Sequence, residues 1–202
     1  MRQWTVESLK EFEREIAEFF NAGKIRAPIH LSDGQEENLI EIFQEISDED
    51  WIFGSWRSHY QCLLKGVDPE VLKQSILDGR SIALCFPEKK IFSTAIVGGQ
   101  LPIAVGVAVG IKKKGGGEQV WCFLGDMTSE TGIAQTSIRY ATLNELPITF
   151  IIEDNGLSTY TDTRKAWGAK TLRFEETTNP NVRSYKYKSQ YPHSGAGIRV
   201  QF

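Results

Sequence analysis

At 202 residues, with 41% hydrophobic side chains, the chain is long enough to bury a sizeable core in one domain. Its formal net charge of -3 argues against a nucleic-acid partner held by bulk charge. No run is long and apolar enough to cross a bilayer, the N-terminus lacks a signal-peptide pattern, and a cytoplasmic protein is expected.

In chain order, Leu9, Phe12, Ile16, Phe19 and Phe20 share one helical stripe, which predicts an amphipathic helix stopped at Gly23. Ser32 followed by Gln35 fits a capping box ahead of Leu39, Ile42, Phe43 and Ile46. His30, just before it, is expected to make structural hydrogen bonds. Arg57 and His59 fall in a loop, where Arg57 offers a planar fork matched to phosphate but equally suits a surface ion pair. Asp68-Pro69 supplies an N-cap and a first helical residue. Residues 95–110 are apolar on nearly every face, which predicts a buried helix whose Gly98, Gly99, Gly106 and Gly110 permit close backbone approach. Lys112, Lys113 and Lys114 suit its carboxyl end, and the three glycines after them suit a flexible connection. Cys62, Cys85 and Cys122 lie in apolar stretches without metal-ligand spacing and read as buried free thiols in a reducing compartment.

Residues 119–124 read as a strand buried on both faces and closed by Gly125. Residues 128–144 read as one helix, with Ile133, Ala134, Ser137, Ile138 and Ala141 on its inner face. Pro147 then precedes a second buried strand that ends in Glu153-Asp154-Asn155. A strand-helix-strand unit of this kind is parallel, so Asp126 and Asn155 meet at the carboxyl edge of the sheet, where ligands bind in open α/β folds. A carboxylate and a carboxamide oxygen are hard donors that suit magnesium, and the helix amino end after Asp126 favours phosphate. The pair therefore fits a magnesium-bridged diphosphate. Gly-Asp at a strand end and Asn-Gly are also ordinary turn residues, and the pair alone leaves both readings open.

Four stretches carry a resemblance, in order, over residues 10–165. Gly125-Asp126, a helix, and a strand ending at Asn155-Gly156-Leu157 resemble the thiamine diphosphate fingerprint, Gly-Asp-Gly with a terminal Asn-Asn. The other three stretches are His30-Leu31-Ser32-Asp33-Gly34-Gln35-Glu36, Trp56-Arg57-Ser58-His59 with Lys65-Gly66, and Ala95-Ile96-Val97-Gly98-Gly99-Gln100-Leu101-Pro102. They resemble segments of alpha subunits of the thiamine diphosphate-dependent 2-oxoacid dehydrogenase decarboxylating component, of the pyruvate, branched-chain and acetoin kind.

The resemblance implies an α/β fold in three layers, a parallel sheet with helices on both faces, as in the diphosphate-binding domain of these enzymes. Residues 1–165 would form that domain and 166–202 a divergent, shortened C-terminal extension packing on it or on a partner. Asp126, Asn155 and the Leu157 carbonyl would hold Mg2+, with Gly125, Met127 and Thr128 beside the cofactor. Trp56 and Arg57 would lie at the diphosphate, Ala95 and Val97 at the aminopyrimidine, and His59 near the reacting carbon as a proton carrier. A beta-type chain would bring the pyrimidine-binding domain and the activating glutamate, in an α2β2 heterotetramer acting on a small keto or aldehyde substrate. The activity implied is oxidative decarboxylation of a 2-oxoacid with acyl transfer. The alternatives are a split transketolase-like or carboligase enzyme passing its unit to an aldehyde, and a non-catalytic scaffold subunit.

Departures from the pattern are concrete. Met127 replaces a glycine and would be strained at positive φ. Trp56 lacks the tyrosine hydroxyl, Asp154 replaces the first Asn, and residues 79–84 lack the histidine common in relatives. His193, between Pro192 and Ser194, reads as exposed and incidental, and residues 185–188 and 197–202 as extended segments.

Overall fold

The first apolar stripe folds as helix α1 (Val6–Asn21), which buries Leu9, Phe12 and Ile16 and, on the same face, Glu13. Thr5 and Ser8 close a reciprocal capping box at its start, and Gly23 follows its end at φ +71°, the left-handed stop that glycine adopts freely. The computed structural model describes residues 4–197, so most of the extended segment expected at 197–202 lies outside the described residues. Two units divide the chain. The first comprises the residues up to Asp48, Trp56–Ala95 and those from Lys188 onward; the second comprises Glu49–Ser55 and Ile96–Tyr187.

Helix α2 (Glu36–Phe43) lacks the capping box expected from Ser32 and Gln35. The Ser32 N–H donates to Glu13 Oε1 at 2.9 Å, and the Gln35 side chain accepts from Asp33 N–H at 3.2 Å. The Glu36 carboxylate takes the Gly34 N–H. A buried turn must satisfy its own donors, and here that need overrides the local cap. Strand β1 (Trp51–Gly54) belongs to the second unit. Back in the first unit come α3 (His59–Leu64) and α4 (Pro69–Leu77), the latter capped as expected by Asp68 with Pro69 in first position. Strands β2 (Cys85–Phe86) and β3 (Ile91–Ser93) then pair antiparallel, and Cys85 is exposed while Cys62 and Cys122 are buried.

The second unit continues with α5 (Gln100–Lys114), β4 (Val120–Gly125), the single turn α6 (Asp126–Ser129), α7 (Gly132–Leu143) and β5 (Ile148–Asp154). After it come the short antiparallel pair β6 (Leu157–Ser158) and β7 (Thr161–Asp162), then α8 (Thr163–Trp167) and β8 (Val182–Lys186). Strands β1, β4, β5 and β8 lie in that order and are all parallel, so the expected α/β class with a parallel sheet holds for this unit. Residues from Val120 to Leu124 are buried throughout, as a strand covered on both faces requires. Asp50 fastens β1 to β4 by accepting the Gln119 N–H at 2.9 Å and the Trp121 indole N–H at 3.2 Å. Gln100 Nε2 donates to the Phe123 carbonyl at 3.1 Å and ties the start of α5 to β4.

Two expectations are corrected here. The single helix over 128–144 is broken, because Thr131 caps a new helix through the Ala134 N–H and donates its hydroxyl to the Thr128 carbonyl at 2.6 Å. Small hydroxyl side chains compete for backbone partners in this way and end helical turns. Nor is α5 buried all round. Leu101, Ala104, Val105, Ala108 and Ile111 face inward, but Ile103 is 46% exposed, and a Cβ on Gly106 or Gly110 would meet nothing within 4 Å. No helix among the described residues is long and apolar enough to cross a membrane.

Gly98 is where the backbone does require glycine. Its φ is +72°, and a Cβ there would sit 2.7 Å from the Ile133 Cγ2 atom of α7. Gly98→Ala should therefore lower the stability of the chain by about 1–3 kcal/mol through overpacking and left-handed strain. Gly106→Ala, which adds a methyl to open space, should be neutral or stabilising by up to about 1 kcal/mol. Urea unfolding of both variants checks the contrast, and equal midpoints would contradict it.

Candidate functional site

In the second unit the register decides what meets. Gly125 of β4 pairs with Glu153 of β5, so Asp126 and the Asp154-Asn155-Gly156-Leu157 turn leave the sheet at the same carboxyl edge. Asp126 is only 2% exposed, and its Oδ2 has no hydrogen-bond partner. Burial pushes its carboxyl up to about 6, the Thr163 hydroxyl counteracts this in part, and the neighbouring Asp154 adds to the rise. A carboxylate oxygen left bare in the interior costs free energy that a bound cation would return.

The turn is built to hold a fixed shape. Asp154 Oδ1 accepts the Gly156 N–H at 2.9 Å, Gly156 takes φ +75°, and Asn155 Oδ1 accepts the Leu157 N–H at 3.0 Å. Asn155 Nδ2 points to the Tyr187 hydroxyl at 3.3 Å, which orients the amide oxygen. Asp154, the residue that departs from the Asn-Asn pattern, is paired with Arg164 at 2.8 Å. Arg164 in turn meets Glu175 at 2.9 Å, and Glu175 meets Lys186 at 2.8 Å. The extra negative charge is thereby neutralised inside the unit.

Met127 carries none of the strain feared for it. It lies in the α6 turn, is absent from the non-glycine residues with positive φ among those described, and its sulfur receives the Trp167 indole N–H at 3.0 Å. Because α6 is one turn long, the helix amino end expected after Asp126 is a short one, and the longer α7 starts only at Gly132. Thr128 is buried, while Val97 is 53% and Leu157 48% exposed. No group of three His, Cys, Asp or Glu among the described residues could hold a metal, so any ion here depends on amide, hydroxyl and carbonyl oxygen beside Asp126.

The first unit holds Trp56, Arg57, His59 and Ala95. Arg57 donates from Nε to the Leu31 carbonyl at 3.1 Å and from Nη2 to the His193 carbonyl at 3.2 Å. His30 Nδ1 lies 2.5 Å from that same carbonyl and so carries the proton. The His193 ring stands edge-on to His30 with centroids 4.7 Å apart, and Trp56 lies 5.7 Å from His30 and 6.2 Å from His193. His193, read from sequence as incidental, thus belongs to the Arg57 cluster. No local periodicity announces it, because a chain-distant bridge between His30 and Gly195 creates the meeting.

The expected place of His59 beside a reacting carbon differs from what the structure shows. Its ring is fully buried, Nδ1 faces both oxygens of Glu13 at 3.0 and 3.1 Å, and Nε2 meets the Ser81 hydroxyl at 2.9 Å. This carboxylate–imidazole–hydroxyl string has the order of a hydrolytic triad, but all three members are buried to 0% exposure, as a structural hydrogen-bond chain is. Glu13 and Ser81 were not singled out from sequence. The signal for Glu13 was present, since an acid on the apolar stripe of α1 needs a partner.

His30 gives a pH test. Burial, followed by the nearby Arg57 charge, lowers it to about 4 against the stabilising pull of the His193 carbonyl. A histidine whose folded pKa is depressed holds its stabilisation above the unfolded value and loses it as pH falls toward the folded one. Between pH 6.5 and 4 the protein should lose about 1–2 kcal/mol through this half-buried group. His30→Gln, neutral throughout, should flatten that part of the urea-midpoint profile; an unchanged slope would exclude the assignment.

Residues 5–174 match the family model of the dehydrogenase E1 component. The alpha subunit of acetoin:2,6-dichlorophenolindophenol oxidoreductase from Cupriavidus necator is 30% identical over 159 residues, covering 74% of this chain and 48% of that protein. Its counterpart in Bacillus subtilis is 27% identical over 159 residues, covering 73% and 47%. The pyruvate dehydrogenase E1 component subunit alpha of Rickettsia bellii is 29% identical over 160 residues, covering 74% and 49%. The chain spans about half the length of the curated relatives it matches. With the family model matched across most of its length, the chain belongs to the dehydrogenase E1 component family.

Proposed function

We propose that this chain is the alpha-type part of a split thiamine diphosphate-dependent dehydrogenase and holds the magnesium-diphosphate end of the cofactor. The observation that carries the reading is the buried, unpartnered Asp126 Oδ2 beside the shaped Asn155–Leu157 turn at one sheet edge. The donor set fits the ion: one carboxylate, one amide oxygen and the Leu157 carbonyl are the few hard ligands magnesium takes from protein before phosphate and water complete its shell. Gly125 ends β4 without a side chain in the way, and Thr128 and Met127 shape the turn that follows.

When bound, thiamine diphosphate supplies an electron sink for the bond between the carboxyl and carbonyl carbons of a 2-oxoacid. This chain binds and orients. In the second unit, Val97 is exposed and available to a cofactor ring. In the first, Arg57 has spent two of its N–H groups on carbonyls and keeps the others for an anion, while Trp56 and Ala95 keep the cofactor-side roles that family resemblance implies. His59 orients residues 79–84 through its hydrogen bond to Ser81.

Relatives named as alpha subunits support a beta-type partner; the pyrimidine-binding domain, the activating glutamate and the α2β2 assembly are what the family resemblance implies for it. Their acetoin and pyruvate names support a small 2-oxoacid or acetoin-like substrate. Ile96 at 71%, Ile103 at 46% and Leu143 at 72% exposure give such a partner apolar surface to cover.

The test is thiamine diphosphate binding, with and without Mg2+, to this chain co-purified with the product of its neighbouring gene. Wild type should bind only with the metal, and Asn155→Ala should weaken binding at least about tenfold. A well-folded complex that binds no cofactor would leave a scaffold subunit instead.

A further inference from the structure

Beside the proposed cation site lies a second carboxylate that its donor set does not use. Asp154 follows Glu153, the partner of Gly125, so Asp126 and Asp154 come off neighbouring strands spaced about 4.8 Å apart. Asp154 is 3% exposed, and its Oδ1 accepts the Gly156 N–H at 2.9 Å, between the donors Asn155 and Leu157. Two carboxylates at one edge suit a larger cation that gathers many oxygen ligands, not magnesium.

That second carboxylate is occupied from α8. Arg164 Nη2 donates to Asp154 Oδ2 at 2.8 Å while Nη1 faces Oδ1 at 3.5 Å, so the fork lies across both oxygens. The Thr163 N–H donates to the Gly156 carbonyl at 3.0 Å and fastens the start of α8 to the same turn. Glu175 meets the guanidinium at 2.9 Å and is itself paired with Lys186 at 2.8 Å. Charge therefore cancels along this line, all of it within the second unit.

Resting on the magnesium-diphosphate reading above, we infer that Arg164 is a positioning residue that sets the metal preference of the site. Its fork withholds the Asp154 carboxylate, and the ion meets one carboxylate instead of two. Magnesium takes few protein ligands in a strict octahedron, whereas Ca2+ takes roughly six to eight oxygens and readily accepts a further, bidentate carboxylate. Without the fork, Asp154 is a buried charge lacking its cation, and a divalent ion at the same edge supplies one.

The test titrates Mg2+ or Ca2+ into the complex of the full chain and its beta-type partner at saturating thiamine diphosphate, with binding read by calorimetry. Arg164→Met should raise the preference for Ca2+ over Mg2+ at least about tenfold. Arg164→Lys, which keeps a cation beside Asp154 but loses the fork, should shift it by no more than about threefold. Adding Asp154→Asn to Arg164→Met should return the preference to within about threefold of wild type, because the withheld carboxylate is then gone. A merely structural role would weaken both metals alike. An unchanged preference in Arg164→Met, lysine behaving as methionine, or a shift that survives Asp154→Asn overturns the inference and leaves the cofactor reading standing. Asp154→Asn alone decides the matter even where Arg164→Met fails to fold. It should keep the wild-type preference, and a shift of about tenfold would make Asp154 a ligand already in wild type and overturn the withholding role. Wild type that binds thiamine diphosphate with neither metal would sink the cofactor reading and this inference together.

Discussion

Parallel pairing with Gly125 opposite Glu153 is the constraint on which the second unit depends. A slip of one residue between β4 and β5 would carry the Asn155 turn about 3.3 Å along the strand direction away from Asp126. The parallel ladder from Val120 opposite Ile148 to Gly125 opposite Glu153 holds the observed register. Strand pairing thus fixes the spacing of two polar groups that are themselves unfavourable to bury. The energetic loss at Asp126 is tolerable because the strands around it are buried so completely.

The turn after β5 obeys the same economy of charge. An aspartate at position 154 would add a second buried negative group beside Asp126, and the structure answers with a line of alternating charges through Arg164, Glu175 and Lys186. That line reaches from the Asp154–Leu157 turn to β8, so residues far along the chain help set the shape of the turn. Met127 shows the same substitution logic in apolar form. Its sulfur finds the Trp167 indole, and the helical turn needs no glycine.

Much of this was legible in the sequence, for identifiable reasons. Continuous apolar runs bounded by Gly125 and Pro147 can hardly be anything but buried strands, and Asp68-Pro69 names a helix start by its own chemistry. The features that escaped depend on distant partners. Ser32 and Gln35 have the letters of a capping box, but Glu13 on another helix takes the Ser32 N–H first. The break at Thr131 comes from hydroxyls competing for carbonyls, which apolar periodicity does not register. His193 gains its place from a bridge closed across most of the chain, and the outer face of α5 looks like core because its residues are apolar even where nothing covers them.

That uncovered face has a consequence for the life of the chain in a cell. On the proposed split arrangement, a molecule released before it meets its partner presents Ile103 on that face, together with Ile96 before α5 and Leu143 at the end of α7, to chaperones and proteases, which recognise such surface. Its steady-state level is then set less by its own folding stability than by the supply of whatever shields it. On that proposal, matched synthesis of the two subunits becomes a condition for accumulating either.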